Sequence, residues 1–261
     1  MLSAASRPRH RAHGSGRNFG IIAGIERALT NRKRISLERP RAAAVLLPLC
    51  GDHEDALSLL MTRRTASISH SRQVAFPGGS VDTADENRAA TATREAEEEI
   101  GLPRAAVRVI GLLDDIPNWD NTQAVTPVVG HVRDFPLEQL VAEPREVASI
   151  FAVPLAHLQD ESRWTSKDVN WRGEGIQQFY FDVMPYGAGD GDQLWGLSAY
   201  STLGLLSVLS NLSSDDCSTF GAKVATLQSH YGRRLALKQD GARTIGSAES
   251  SPSDQYTSRE S

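Results

Sequence analysis

Residues Phe76 to Leu102, FPGGSVDTADENRAATATREAEEEIGL, constrain this chain more than any other stretch. A proline and two glycines lead into an acid-rich segment that stops at Gly101. With about 100° per residue and Glu95 at zero, Glu98 falls near −60° and Glu99 near +40°. Ala89, Ala92, Ala96 and Ile100 gather between about 60° and 140°, a small-residue face suited to close packing. Three carboxylates therefore share one face within about one turn. Like charges at that spacing destabilise a bare helix by a few tenths of a kcal/mol per pair. A divalent cation reverses the penalty, and hard Mg²⁺ or Mn²⁺ prefers carboxylate oxygen. Glu97, near 200°, leaves the cluster for solvent. The Pro77-Gly78-Gly79 turn lets main chain approach a ligand closely, so the Gly79 carbonyl is a further candidate metal ligand.

The spacing carries a family resemblance. Gly79, five residues, Asp85, eight residues, then Arg94-Glu95-Ala96-Glu97-Glu98-Glu99-Ile100-Gly101-Leu102 resembles a Nudix box. The usual box has Glu where Asp85 stands and one residue fewer before the Arg-Glu pair, and the longer spacing resembles the coenzyme A diphosphatase branch. Upstream, Leu59, Leu60, Arg63, Gln73, Phe76, Pro77, Gly78 and Gly79 match the signature of that branch, and His70 agrees with a frequent variant. Met61, Arg64, Ile68 and Arg72 depart from it. The resemblance implies an α+β protein, a Nudix-type α/β/α sandwich with a mixed sheet over residues 41–212. It implies a hydrolase that cleaves the diphosphate of coenzyme A or acyl-coenzyme A to 3′,5′-ADP and 4′-phosphopantetheine, using Mg²⁺ or Mn²⁺. Two alternatives stand beside it: a Nudix hydrolase of another nucleoside diphosphate derivative, such as ADP-ribose or a dinucleotide, and a non-catalytic Nudix-fold binding module. The second would be expected to lack some of the carboxylates that this chain keeps.

Each side chain then has an expected role. Gly79, Glu95, Glu98 and Glu99 are the metal ligands. Arg94 pairs with Glu98 four residues on and holds the cluster in shape. A general base must reach the attacking water, and in this superfamily it often comes from an acid on a distant loop; Glu146 is the choice, with Glu143 in reserve. Arg63, Arg72 and Gln73 are the expected substrate contacts, the arginines through charge-assisted bonds to phosphate.

Around this centre the chain reads in order. Residues 1–40 form a basic extension; residues 1–25 hold no acid and have the composition of a mitochondrial transit peptide, with cytosol and peroxisome as alternatives. Residues 19–31 have the makings of a short helix, and the folded domain is expected to start near Arg41. Ala42–Cys50, Ala56–Arg63, Gln73–Phe76, Val107–Leu113, Ala124–Val132, Ile150–Val153 and Gln177–Val183 read as strands. Pro127 belongs near a strand start or on an edge. Trp119 lies in a polar loop as a candidate substrate wall. Leu194–Leu212 enters an apolar helix. Residues 213–261 form a C-terminal extension, with disorder expected from about residue 238.

Composition removes several classes of function. Residues 1–41 carry ten Lys and Arg against Glu26 and Glu38, a balance of +8, which leaves −12 on the rest of a chain of net charge −4. An acidic body is a poor nucleic-acid binder, so the expected partner is a small molecule. No run of about 18 apolar residues suggests a transmembrane helix. Cys50 and Cys217 match no metal or redox spacing.

Overall fold

The apolar run after Arg41 forms a strand with buried side chains on both faces, the signature of a strand inside a covered sheet. The computed structural model describes residues 19–51, 57–66, 73–133, 135–171, 173–186, 193–212 and 242–245, the last four for their backbone alone. His53, Ile68, His70, Arg72, Cys217, the acid-free residues 1–18 and most of 213–261 lie outside these residues. In order come α1 (Phe19–Asn31), β1 (Arg34–Leu37), β2 (Arg41–Cys50), β3 (Ser58–Arg64), β4 (Val74–Ala75), β5 (Gly78–Ser80) and α2 (Arg88–Ile100). Then follow β6 (Val107–Leu112), β7 (Ile116–Pro117), β8 (Gln123–Val132), β9 (Val147–Pro154) and α3 (Leu155–Gln159). The series closes with β10 (Trp164–Trp171), β11 (Glu174–Asp182), β12 (Gln193–Trp195), α4 (Gly196–Ser210) and β13 (Ala242–Ile245).

The main sheet is mixed. β2 runs parallel to β8 from Arg41↔Gln123 to Cys50↔Val132, while its other edge pairs antiparallel with β5 and then β3. β9 lies along β3, β4 pairs with the end of β3, and β6 and β7 lie in succession along β8. On one side Ala92, Ala96 and Ile100 of α2 pack with Ala44, Leu46 and Leu60. On the other, Ile22, Ile25 and Leu29 of α1 join Leu203, Leu205 and Leu206 of α4 and Phe179 and Phe181 of β11. The α+β sandwich with a mixed sheet that the sequence implies is the architecture found.

Three expectations need correction. The packed body takes in α1 and does not wait for Arg41. Ile22, Ile25 and Leu29 fall on one helical face, each is buried, and both carboxylate oxygens of Glu26 accept from Arg108 Nη1 at 2.9 Å. Gly111 makes that docking possible, since a Cβ there would lie 2.6 Å from Leu29. Second, Ala242–Ile245 pairs antiparallel with β1, inside the stretch expected to be disordered. Third, Pro127 sits mid-strand in β8, parallel to Val45. Its missing N–H faces the break between β6 and β7, where its carbonyl accepts from Leu113 at 2.9 Å, so no ladder bond is lost. β10, which no apolar alternation announces, pairs with β11 along its whole length.

Candidate active site

α2 begins at Asn87, whose side chain accepts from the Ala90 N–H, and ends at Gly101 in the left-handed conformation. Its burial follows the expected arc: Glu99 is 4% exposed, Glu95 half-buried and Glu98 exposed. Glu97 leaves the cluster but does not simply face solvent; it pairs with Arg104 at 2.9 Å.

Arg94 is the hub. Its Nε and Nη2 donate to the two oxygens of Asp85 at 2.9 and 3.0 Å, and Nη2 also donates to the Ser80 carbonyl at 3.0 Å. Nη1 reaches Glu98 at 2.9 Å and Glu95 at 3.0 Å. The expected Arg94–Glu98 pair is present, and it is one part of a larger clamp. The guanidinium holds the Asp85 carboxyl well below the usual carboxylate range. Asp85 thus closes the turn before α2 onto the helix; its place nine residues before Arg94 was the available signal. Among the described residues no three carboxyl, imidazole or thiol groups converge on one point.

Glu99 lies deeper. Its Oε2 accepts from the Gly78 N–H at 3.2 Å, and Arg64 stands 3.9 Å from Oε1. Burial raises its pKa to about 7, with Glu146 and Glu95 adding to the push and Gly78 and Arg64 opposing it. Burial likewise raises Glu95, against the pull of Arg94. Gly79 approaches so closely that a Cβ on it would lie 2.5 Å from the Glu95 carboxyl. Glu99 short of compensating charge, Glu95 sharing one guanidinium with Asp85 and Glu98, and a side-chain-free main chain beside them offer the hard oxygen donors that fit a divalent cation.

The loop with the expected base is tied to the same helix. The Glu143 N–H donates to the Glu99 carbonyl at 2.8 Å, and Val141 donates to Ile100 at 3.1 Å. The Thr65 N–H donates to the Glu146 carbonyl at 2.9 Å, joining this turn to the end of β3. Ala148 is skipped in the β3–β9 register, where Arg63 pairs with Ser149 and Arg64 with Val147. Such a bulge re-aims the chain next to a site. Glu146 is exposed, and its charge acts on both Glu95 and Glu99.

The arginines come out differently from the sequence reading. Leu60 packs on the α2 side and Leu59 and Met61 on the other, so alternation turns Arg64 toward the carboxylates and Arg63 away. Arg64, read from sequence only as a departure, is the one beside Glu99. Gln73 contributes its carbonyl, which accepts from Arg64 N–H at 3.0 Å. Trp119 is 59% exposed, with its carbonyl held by Trp171 Nε1 at 2.7 Å. Cys50 is buried and its thiol is pushed up to about 12 by that burial, which makes it inert.

Residues 39–172 match the NUDIX domain family, and the chain belongs to it, which places it among the hydrolases that act on phosphorus anhydrides. It is 40% identical over 168 residues to an uncharacterized Nudix hydrolase NudL of Photorhabdus laumondii, covering 64% of this chain and 83% of that one. Its identity to the NudL protein of Escherichia coli K12 is 41% over 161 residues, covering 61% and 78%. It is 38% identical over 164 residues to Nudix hydrolase 15, mitochondrial, of Arabidopsis thaliana, covering 62% of this chain and 56% of that one. Enzymes of this family generally use divalent metals such as Mg²⁺ or Mn²⁺. No helix among the described residues is long and apolar enough to cross a membrane.

Proposed function

We propose that this Nudix hydrolase cleaves the diphosphate of coenzyme A or its thioesters, releasing 3′,5′-ADP and a 4′-phosphopantetheine. The observation that carries the reading is the join between the signature segment and the carboxylates. Thr62 and Arg63 pair with Ala75 and Val74, and from there the chain runs through Phe76 and Pro77 into the glycines over Glu95 and Glu99. A substrate diphosphate seated at those carboxylates would lie next to Gly78 and Gly79, the end of the segment that matches the coenzyme A signature, while Arg63 of that segment faces away.

Glu95, Glu98, Glu99 and the Gly79 carbonyl would hold Mg²⁺ or Mn²⁺, which would supply charge neutralisation and Lewis acidity to the diphosphate. Arg94 fixes Glu95 and Glu98 in orientation. Glu146 accepts a proton from the water whose oxygen attacks phosphorus, and the bridging P–O bond breaks in line. Proximity and preorganised charge supply most of the acceleration in such chemistry. The acid-free, arginine-bearing residues 1–18 that precede α1 and the mitochondrial label of one relative support a mitochondrial address.

The test is a substrate panel. Purified protein with Mg²⁺ or Mn²⁺ is offered coenzyme A, acyl-coenzyme A, ADP-ribose and dinucleotides, with products identified by mass. Coenzyme A or an acyl derivative should give the highest kcat/KM. Rapid turnover of ADP-ribose with coenzyme A inert would overturn the branch assignment and leave the hydrolase standing.

A further inference from the structure

Arg64 ends β3 with its charge only partly engaged. Its side chain is 26% exposed, and its guanidinium stops 3.9 Å from Glu99, well beyond the ~2.7–2.9 Å of a closed charge-assisted hydrogen bond. Its Nε is out of water with no hydrogen-bond partner. A buried donor left open in a native fold calls for an explanation, because leaving it unmade costs free energy. The backbone around it is well fixed: Arg64 N–H donates to Gln73 at 3.0 Å and the next residue, Thr65, holds the Glu146 carbonyl at 2.9 Å. The side chain thus stands at the junction of the metal-binding carboxylate, the signature segment and the general-base turn.

We propose that Arg64 is the diphosphate anchor of this enzyme, with its planar fork of donors taking non-bridging phosphate oxygens while its positive charge stays beside Glu99. A guanidinium matches a tetrahedral oxyanion through two parallel N–H donors, which a single ammonium does not reproduce. Arg63, one residue earlier and facing away by strand alternation, does not share this placement. The inference rests on the hydrolase reading of the site and not on coenzyme A being its substrate.

The probe is α,β-methylene-ADP, a nucleoside diphosphate that cannot be cleaved, titrated calorimetrically into the full chain with Mg²⁺ present. Arg64→Gln should bind it roughly tenfold to a hundredfold more weakly than the parent, the loss of one or two charge-assisted hydrogen bonds. Arg64→Lys, which keeps the charge and loses the fork, should fall between the two. Adenosine, which lacks phosphate, should bind all three proteins alike. Parental affinity of Arg64→Gln for the diphosphate would overturn the proposal, as would an equal loss for adenosine, which marks a merely structural role. If Arg64→Gln does not fold, Arg64→Lys decides by the same comparison. Turnover of coenzyme A plays no part here, so failure of the substrate assignment and failure of this anchor remain separate results.

Discussion

Asp115 and Glu99 are equally buried, at 3% and 4% exposure, yet their surroundings differ in kind. The Asp115 carboxylate accepts from Arg34 at 2.7 Å, Thr126 at 2.6 Å, Ser36 at 3.1 Å and the Leu37 N–H at 2.9 Å. Those four donors tie β1 to the main sheet and satisfy the anion fully. Glu99 has one N–H at 3.2 Å and an arginine at 3.9 Å. A buried carboxylate with a full set of donors is a structural fastener. One left short of donors is the kind of group a cation would satisfy, which is the role proposed for Glu99.

Glu99 carries the largest expected effect. Glu99→Gln should lower turnover on the order of a thousandfold, about 4 kcal/mol of transition-state stabilisation, while the fold survives. Steady-state kinetics beside a thermal melt checks both halves; a variant as fast as the parent, or parental turnover in excess EDTA, would sink the metal role. Asp115→Ala should do the reverse. Breaking its pair with Arg34 and stranding the other donors should cost about 3 kcal/mol of stability, read in urea unfolding, with turnover per folded molecule kept. A smaller effect sharpens the contrast through pH. Because burial raises Glu99 from 4.5 to about 7, its protonated form is the one the fold prefers. That contribution is complete below about pH 4.5 and is lost as pH rises through 7. Metal-free protein should therefore be less stable at pH 8 than at pH 5 by about 2 kcal/mol from this group. Glu99→Gln should flatten the slope, and Mg²⁺ should offset the loss at pH 8. A slope unchanged in the variant would remove Glu99 as its cause.

Much of the site was legible because it is local. The arc of Glu95, Glu98 and Glu99, the reach of Arg94 to Glu98 and the stop at Gly101 follow from helix geometry within one short segment. The choice between Arg63 and Arg64 was not legible. β3 is buried on both faces through Leu59, Leu60, Met61 and Thr62, so it lacks the apolar–polar alternation that would mark which side meets α2. The weight of α1 escaped for a similar reason: Ile22, Ile25 and Leu29 on a short helix need a surface, and that surface is made by β6 and α4.

The helix with its acidic arc, the glycine turn before it, the family and most of the strands are written along the chain, since these depend on neighbours within a few turns or on alternation along one strand. Tertiary structure alone decided which arginine stands by Glu99, that Glu143 donates to the Glu99 carbonyl and that Thr65 holds Glu146. It also decided that Asp115 gathers donors from β1 and β8. Each of these joins residues from distant parts of the chain, and their meeting is fixed by strand order, register and a bulge at Ala148, none of which leaves a local trace in the residues themselves.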